Sequence, residues 1–224
     1  MFQNQRPKKS QIKPEIDDHF LFCLPMTFDL DEIPPGDRYR ILASLITPRP
    51  IAWVTTQDCE GNINAAPFSF FNVFGSNPPL VAFAPGNKDR KTPKDTARNI
   101  RETREFVIHM VDEPLGKVMV ATSASLPHGE SEIDLNDLTT LPSQKISVPR
   151  IADAPVALEC SEHSTIEIGS NRLVVGIVHY IHVRDGLMDD KGYLLHGKYY
   201  PLARMASPDW YSRTNDQFEI PRPD

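Results

Sequence analysis

Between residues 51 and 184 the apolar positions come in short runs, alternating or continuous, punctuated by Gly, Pro and Asn. That rhythm predicts strands. Ile51-Ala52-Trp53-Val54-Thr55-Thr56 is rich in β-favouring side chains. Gln57 to Asn62 supplies a turn, and Ile63 to Phe68 returns as a second strand; Pro67 cannot donate to a ladder, so that strand ends there or lies at an edge. Asn77-Pro78-Pro79 breaks the chain before a third strand, Leu80 to Ala84. Phe106 to Val111 reads as a buried strand. Val156 to Ser161 alternates, with Val156, Leu158 and Cys160 on one face, which puts the Cys160 thiol in the core. Thr165 to Ile168 pairs through Gly169-Ser170-Asn171 with a long strand over 172–184.

Helical periodicity is sparser. Leu115, Val118, Met119 and Thr122 fall at i, i+3, i+4 and i+7 behind Pro114, an amphipathic helix with Met119 in the core. A second helix is predicted over about 93–104, and a polar, helix-prone insert over about 126–140, with Asp134 and Asp137 facing water. Pro142 to Ala154 reads as a loop or a weakly paired stretch, and Pro34-Pro35-Gly36-Asp37 as a turn. The first 25 residues are charged and polar without apolar period. The division is therefore an arm over 1–37, mobile or packing on a partner subunit, and a domain over 38–224. Strands and helices in mixed order predict a mainly β, α+β domain centred on a barrel. No G-x-G-x-x-G follows a strand, so a dinucleotide-binding α/β fold is unsupported.

Charge narrows the function classes. The 224 residues carry a net charge of −6, which argues against nonspecific nucleic-acid binding as the main task. No apolar run approaches the ~18 residues a membrane helix needs, and Met1 to Ile16 lacks the apolar core of a secretory signal. Three cysteines, widely spaced and without a C-x-x-C pair, predict a reducing, cytoplasmic setting and no cysteine zinc site. His179 and His182 would face opposite sides of a strand, so no metal is expected there.

Against that acidic background, residues 86 to 101 hold six basic side chains and two acidic ones, a local 6 − 2 = +4. Thr92 suits an N-cap, Pro93 the first helical position, and Asp95 the third. Free N–H groups and the dipole at such a helix start favour an anion, although an ordinary solvated helix face has the same composition. Asn64 to Asn72 packs small residues, a hydroxyl, amides and aromatics into nine positions, suited either to a flat ring against exposed backbone or to a tight aromatic corner. His196 to Arg204 clusters a histidine, tyrosines and an arginine that would bind an anion or close a surface ion pair. Ser69 sits in no G-x-S-x-G elbow and no H-E-x-x-H occurs. Chemistry would then come from an organic cofactor bearing a phosphate.

The ordered set Arg49-Pro50-Ile51-Ala52-Trp53-Val54-Thr55-Thr56, Asn64 to Phe71, Pro78-Pro79-Leu80-Val81, Lys94 to Ile100, Glu105 to Ile108 and Tyr200 to Arg204 resembles the flavin reductase-like family, over residues 38 to 222. The resemblance implies an FMN-binding split β-barrel, Greek-key-like, as a homodimer with one FMN per subunit near the interface. It implies that Thr55, Thr56 and the run Ala66, Pro67, Phe68, Ser69 and Phe70 line the flavin ring. Arg90, Lys91, Lys94 and Thr96 would hold the phosphate, and His196 would approach the flavin or a nicotinamide as the candidate catalytic group. The implied activity is hydride transfer from NADH or NADPH to flavin N5, with electrons passing to a small-molecule acceptor. A flavoprotein oxidase or oxygenase and a non-catalytic FMN-binding protein are the alternatives. Ala203 and Met205-Ala206 stand where the family commonly has glycines, and the N-terminal arm is long.

Overall fold

The computed structural model describes residues 26–89, 92–127 and 130–223. The chain divides into two units, Met1–Arg38 and Tyr39–Asp224. In order, the elements are α1 (Pro35–Leu45), β1 (Arg49–Pro50), β2 (Ala52–Gln57), β3 (Ile63–Phe68), β4 (Phe71–Ser76), β5 (Pro79–Phe83), α2 (Asp95–Thr103), β6 (Glu105–Met110), α3 (Gly116–Ala121), α4 (Glu132–Leu135), β7 (Thr140–Leu141), β8 (Arg150–Ile151), β9 (Val156–Ile168), β10 (Asn171–Val183), β11 (Ala203–Arg204) and β12 (Tyr211–Ser212). Among the described residues, no helix is long and apolar enough to cross a membrane.

Seven strands form one antiparallel sheet in the order β3-β2-β6-β9-β10-β5-β4. Five strand steps separate β3 from β5, a span of about 24 Å in a flat sheet at ~4.8 Å per step. Yet the rings of Phe68 on β3 and Phe83 on β5 lie 5.4 Å apart, as do those of Phe83 and Phe106 on β6. The sheet must therefore roll upon itself, and these aromatics fill its interior with Ala52, Val54, Ile108, Cys160 and Val174. The roll needs a glycine: Phe106 covers Gly176, whose added Cβ would collide with the ring edge. Alternate residues point the other way, so Trp53 joins Ala65, Met119, Ile133 and Ile151 in a second cluster beneath α3 and α4.

Four sequence expectations need correction. Pro34 to Asp37 does not make an isolated turn; Pro35 opens α1, where its missing N–H costs nothing. Helix α2 begins at Asp95, two residues after the expected start, because Lys88 N–H donates to Thr92 O and the backbone N–H of Thr92 donates to Asp89 Oδ1, while Asn87 bridges Pro93, which keeps Thr92 and Pro93 out of the helix. The aromatic run ending at Asn72 does not stop in a corner but continues as strand β4, Phe71–Ser76. Val156–Ile168 is one continuous strand, its polar stretch Glu162-His163-Ser164 carried outward across a register shift opposite Val175 and Gly176. Cys160, Met119, Asp134 and Asp137 lie as expected, the first two buried and the acids exposed.

His109 is fully buried on β6. The Ile151 N–H donates to its Nε2 at 2.9 Å, so its Nδ1 carries the proton and donates to Trp53 O at 2.8 Å. Burial drives its pKa from 6.5 down to about 4; the Trp53 carbonyl opposes this, and the charges of Arg150 and His182 add to it. Between these pH values the unfolded chain binds a proton that the folded chain refuses. Stability from this group is therefore complete above pH 6.5 and falls as pH drops toward 4, by on the order of 3 kcal/mol. Urea unfolding at pH 7.0 and about 4.5 should show a smaller loss on acidification in His109→Gln than in the parent; parallel losses would show that His109 does not set the slope.

Candidate functional site

The link from β3 into β4 forms one wall of a cavity of about 450 Å³, presenting Pro67, Phe68, Ser69 and Phe70. Ala84, whose N–H donates to Phe70 O at 2.9 Å, Pro85 and Gly86 after β5 also line it, as does the Ser170-Asn171-Arg172 turn of the β9–β10 hairpin. Met119, Val120 and Ser123 of α3 and its end close one side; Tyr39, Arg204, Asp209 and Tyr211 ring another. A recess of about 40 Å³ shares Pro67, Lys94 and Ser123 with it and continues to Asn64, Ala66, Thr96 and Glu132.

Arg49 fixes the aromatic wall. Its guanidinium, 6% exposed, donates to the carbonyls of Ala43 and Ile46 at 2.6 and 2.5 Å and to that of Met205 at 3.0 Å. Its Nε donates to Ser69 Oγ at 3.3 Å, and its Cζ lies 5.7 Å from the Phe70 ring centre. One buried cation thus ties the end of α1, the cavity wall and the strand β11 segment together. Tyr39 packs on the Phe70 ring, with centroids 5.9 Å apart.

Lys94 supplies the charge where cavity and recess meet. Its Nζ lies 5.4 Å from the Phe68 ring centre, and burial lowers its pKa. Among the described residues no carboxylate pairs with it; the adjacent Asp95 is held by Lys88 at 2.6 Å and Arg98 at 3.0 Å. As the residue just before α2, Lys94 also accepts from the Ala97 and Arg98 N–H groups, leaving those of Asp95 and Thr96 outside the helical ladder. Thr96 Oγ1 accepts from Asn64 Nδ2 at 2.9 Å. Below them Glu132 accepts the Ala65 N–H at 3.1 Å, and burial raises its pKa.

Sequence reasoning had grouped twelve site residues, and the structure divides them. Pro67, Phe68, Ser69, Phe70 and Lys94 converge on the main cavity, and Ala66 and Thr96 on the recess. Thr55 and Thr56 do not face either space: both are fully buried, the first donating to Pro149 O at 2.8 Å, the second accepting from Asn99 at 3.1 Å. Strand β2 is covered on both faces, so its hydroxyls serve packing. His196 sits exposed in a turn and lines neither space. Arg90 and Lys91 lie outside the described residues. Arg204 makes no carboxylate pair among the described residues; it donates to the carbonyls of Trp210 and Pro208 and stacks on Tyr211 at 4.8 Å. The sequence missed Ser123, Asp209 and Arg172. Arg172 reaches Asn87 Oδ1 at 2.9 Å across 85 residues of chain, a contact no local pattern encodes.

The flavin reductase like domain family model matches residues 44–203. Nitrilotriacetate monooxygenase component B from Bacillus cereus is 35% identical, covers 88% of this chain and 98% of its own, and superposes with a TM-score of 0.83. The 2-nitrobenzoate 2-nitroreductase of Pseudomonas fluorescens is 34% identical over 88% and 96% of the two chains, TM-score 0.81. A flavin reductase with a split barrel domain from Shewanella frigidimarina, 20% identical with coverage of 89% and 100% and a TM-score of 0.76, shares the fold.

Removal of the Arg49 guanidinium would leave three carbonyls and Ser69 without their donor. Arg49→Ala should cost about 2–4 kcal/mol in urea unfolding and Arg49→Lys less, since the ammonium keeps some of these bonds. Equal stability of parent and alanine variant would remove Arg49 from its role as the tie.

Proposed function

The chain belongs to the flavin reductase-like domain family, and we propose that it is an FMN-dependent flavin reductase using NADH or NADPH and a small-molecule electron acceptor. The observation that carries this reading is the partly buried, carboxylate-free Lys94 at the junction of an aromatic-walled cavity and a polar recess. A desolvated cation without a counter-ion favours an anionic ligand group, because only the ligand can complete the pair. Small side chains at Ala66, Ser69 and Gly86 leave room for a flat ring, and Phe68 and Phe70 supply apolar contact for it.

In this reading Lys94 holds the terminal phosphate at the start of α2, with Thr96 and Asn64 beside it. Arg90 and Lys91 belong to the same loop and would add charge there. Arg49 keeps the Ser69–Phe70 wall at fixed distance from the ring. When bound, FMN supplies hydride acceptance from a nicotinamide and electron donation to the acceptor. The positive groups at the cavity, Lys94, Arg172 and Arg204, favour the more negatively charged reduced cofactor. His196 would need the chain around it to approach the cavity before it could act.

A homodimer belongs to the same proposal. An apolar space of about 630 Å³ opens on the sheet between Phe71, Val73, Leu80, Val178 and Ile181, and Val73, Phe74 and Ile181 are 65%, 68% and 54% exposed. Such a patch on a monomer is an association surface. The cytoplasm is the compartment we assign, in keeping with free thiols at Cys59 and Cys160.

Purified protein should be yellow and should bleach anaerobically with NADH or NADPH; colour without bleaching by either would leave flavin binding and sink the reductase. In the same preparation Lys94→Ala should weaken FMN at least tenfold and riboflavin, which lacks the phosphate, much less. Equal losses for the two ligands would place the phosphate elsewhere. Sedimentation should give a dimer mass for the parent and a monomer for Phe74→Asp; a monomeric parent ends the dimer proposal.

A further inference from the structure

Away from the main cavity, a polar space of about 350 Å³ opens between β8 and the end of β10, lined by Arg150, Ala152, Ala154, Tyr180, His182 and Arg184, with two valine and isoleucine positions of β10 beside them. Its charged groups are unequally matched. His182 Nε2 lies 2.6 Å from Glu159 Oε1, and that buried carboxylate also accepts the N–H groups of Gln144 and Lys145, both at 2.7 Å. Burial pushes the Glu159 pKa up, but these bonds outweigh it and hold the group low, so its charge persists beside His182. Arg184 donates to Asp112 Oδ2 at 3.0 Å and to Asp153 O at 2.6 Å.

Arg150 has neither kind of partner. Its Nε is buried and meets no acceptor, and among the described residues no carboxylate pairs with its guanidinium. A buried donor left unmet costs about 1–3 kcal/mol, and the rest of the guanidinium, at the cavity lining, likewise meets no acceptor among the described residues. Guanidinium also prefers planar, two-point acceptors. The alanines at 152 and 154 keep the approach open, and Tyr180, its ring 4.9 Å from that of His182, gives the space one flat wall.

We propose that this cavity is a second binding site, one for a small oxyanion, phosphate or carboxylate, gripped by Arg150 with Arg184 and His182 at its rim. The site is separate from the flavin-reductase reading, because it shares no lining residue with the main cavity or its recess. An oxyanion there takes up a cation that, among the described residues, no carboxylate matches, while the two neighbouring pairs hold the cavity in shape.

The test uses the full chain with excess FMN, so that the main cavity is filled, at constant ionic strength. Sodium phosphate and sodium acetate each replace sodium chloride in thermal unfolding. The expected result is a saturable rise in melting temperature with one of them, identifying phosphate or carboxylate, and at least a tenfold loss of that affinity in Arg150→Gln. Should the glutamine variant not fold, Arg150→Lys keeps the charge and removes the Nε donor, and it too should bind more weakly. No saturable rise with either anion, or unchanged affinity in the variant that folds, overturns the site.

Discussion

The Phe106 ring lies directly over Gly176, and the rest of the architecture depends on that contact. Only a residue without Cβ lets β6 and β10 bring this ring between them, and the ring in turn meets Phe83, which meets Phe68. The chain of aromatics pulls β3 and β5 together across the rolled sheet. As a result the Pro67–Phe70 segment lies beside Ala84, whose N–H donates to Phe70 O at 2.9 Å as β4 pairs with β5, and both line the cavity. A side chain at 176 would push the ring away and disturb the packing of the barrel interior.

Electrostatics follow from the same enclosure. Among the described residues around the basic loop, Lys88 and Arg98 share Asp95, and Arg172 meets Glu167 and Asn87. Lys94 is left over because the helix start turns it away from Asp95 and toward the Phe68 ring. Partial burial makes that lone charge count, since water no longer screens it fully. Arg150 presents the same logic at the far end of β10. In a chain that is acidic as a whole, Lys94 and Arg150 are places where an external anion would meet a cation that no carboxylate pairs among the described residues.

Much of the candidate site was readable. The strand ending at Phe68 and the small-aromatic run after it follow from propensity and from Pro67, and both lie where expected. The basic loop was visible as a charge island, although loop hydrogen bonds from Thr92 and Lys88 displaced the helix start. Thr55 and Thr56, assigned to the flavin ring by resemblance, line neither space, because β2 is covered on both sides. Arg172 and Arg49 were invisible as site residues: each acts across 85 or 156 residues of chain, on Asn87 and Met205.

The sequence by itself determined most of the sheet's strands, the long hairpin, the positive loop within an acidic chain and the family. These depend on local propensity, turn chemistry and composition, which neighbours in the chain carry. Only the tertiary structure decided which hydroxyls face the cavity, that Lys94 has no carboxylate partner among the described residues while Lys88 has one, and that Arg49 braces the wall. Those outcomes rest on burial and on contacts closed by the rolling of the sheet. Desolvation and pairing are properties of three-dimensional neighbours, and no spacing along the chain contains them.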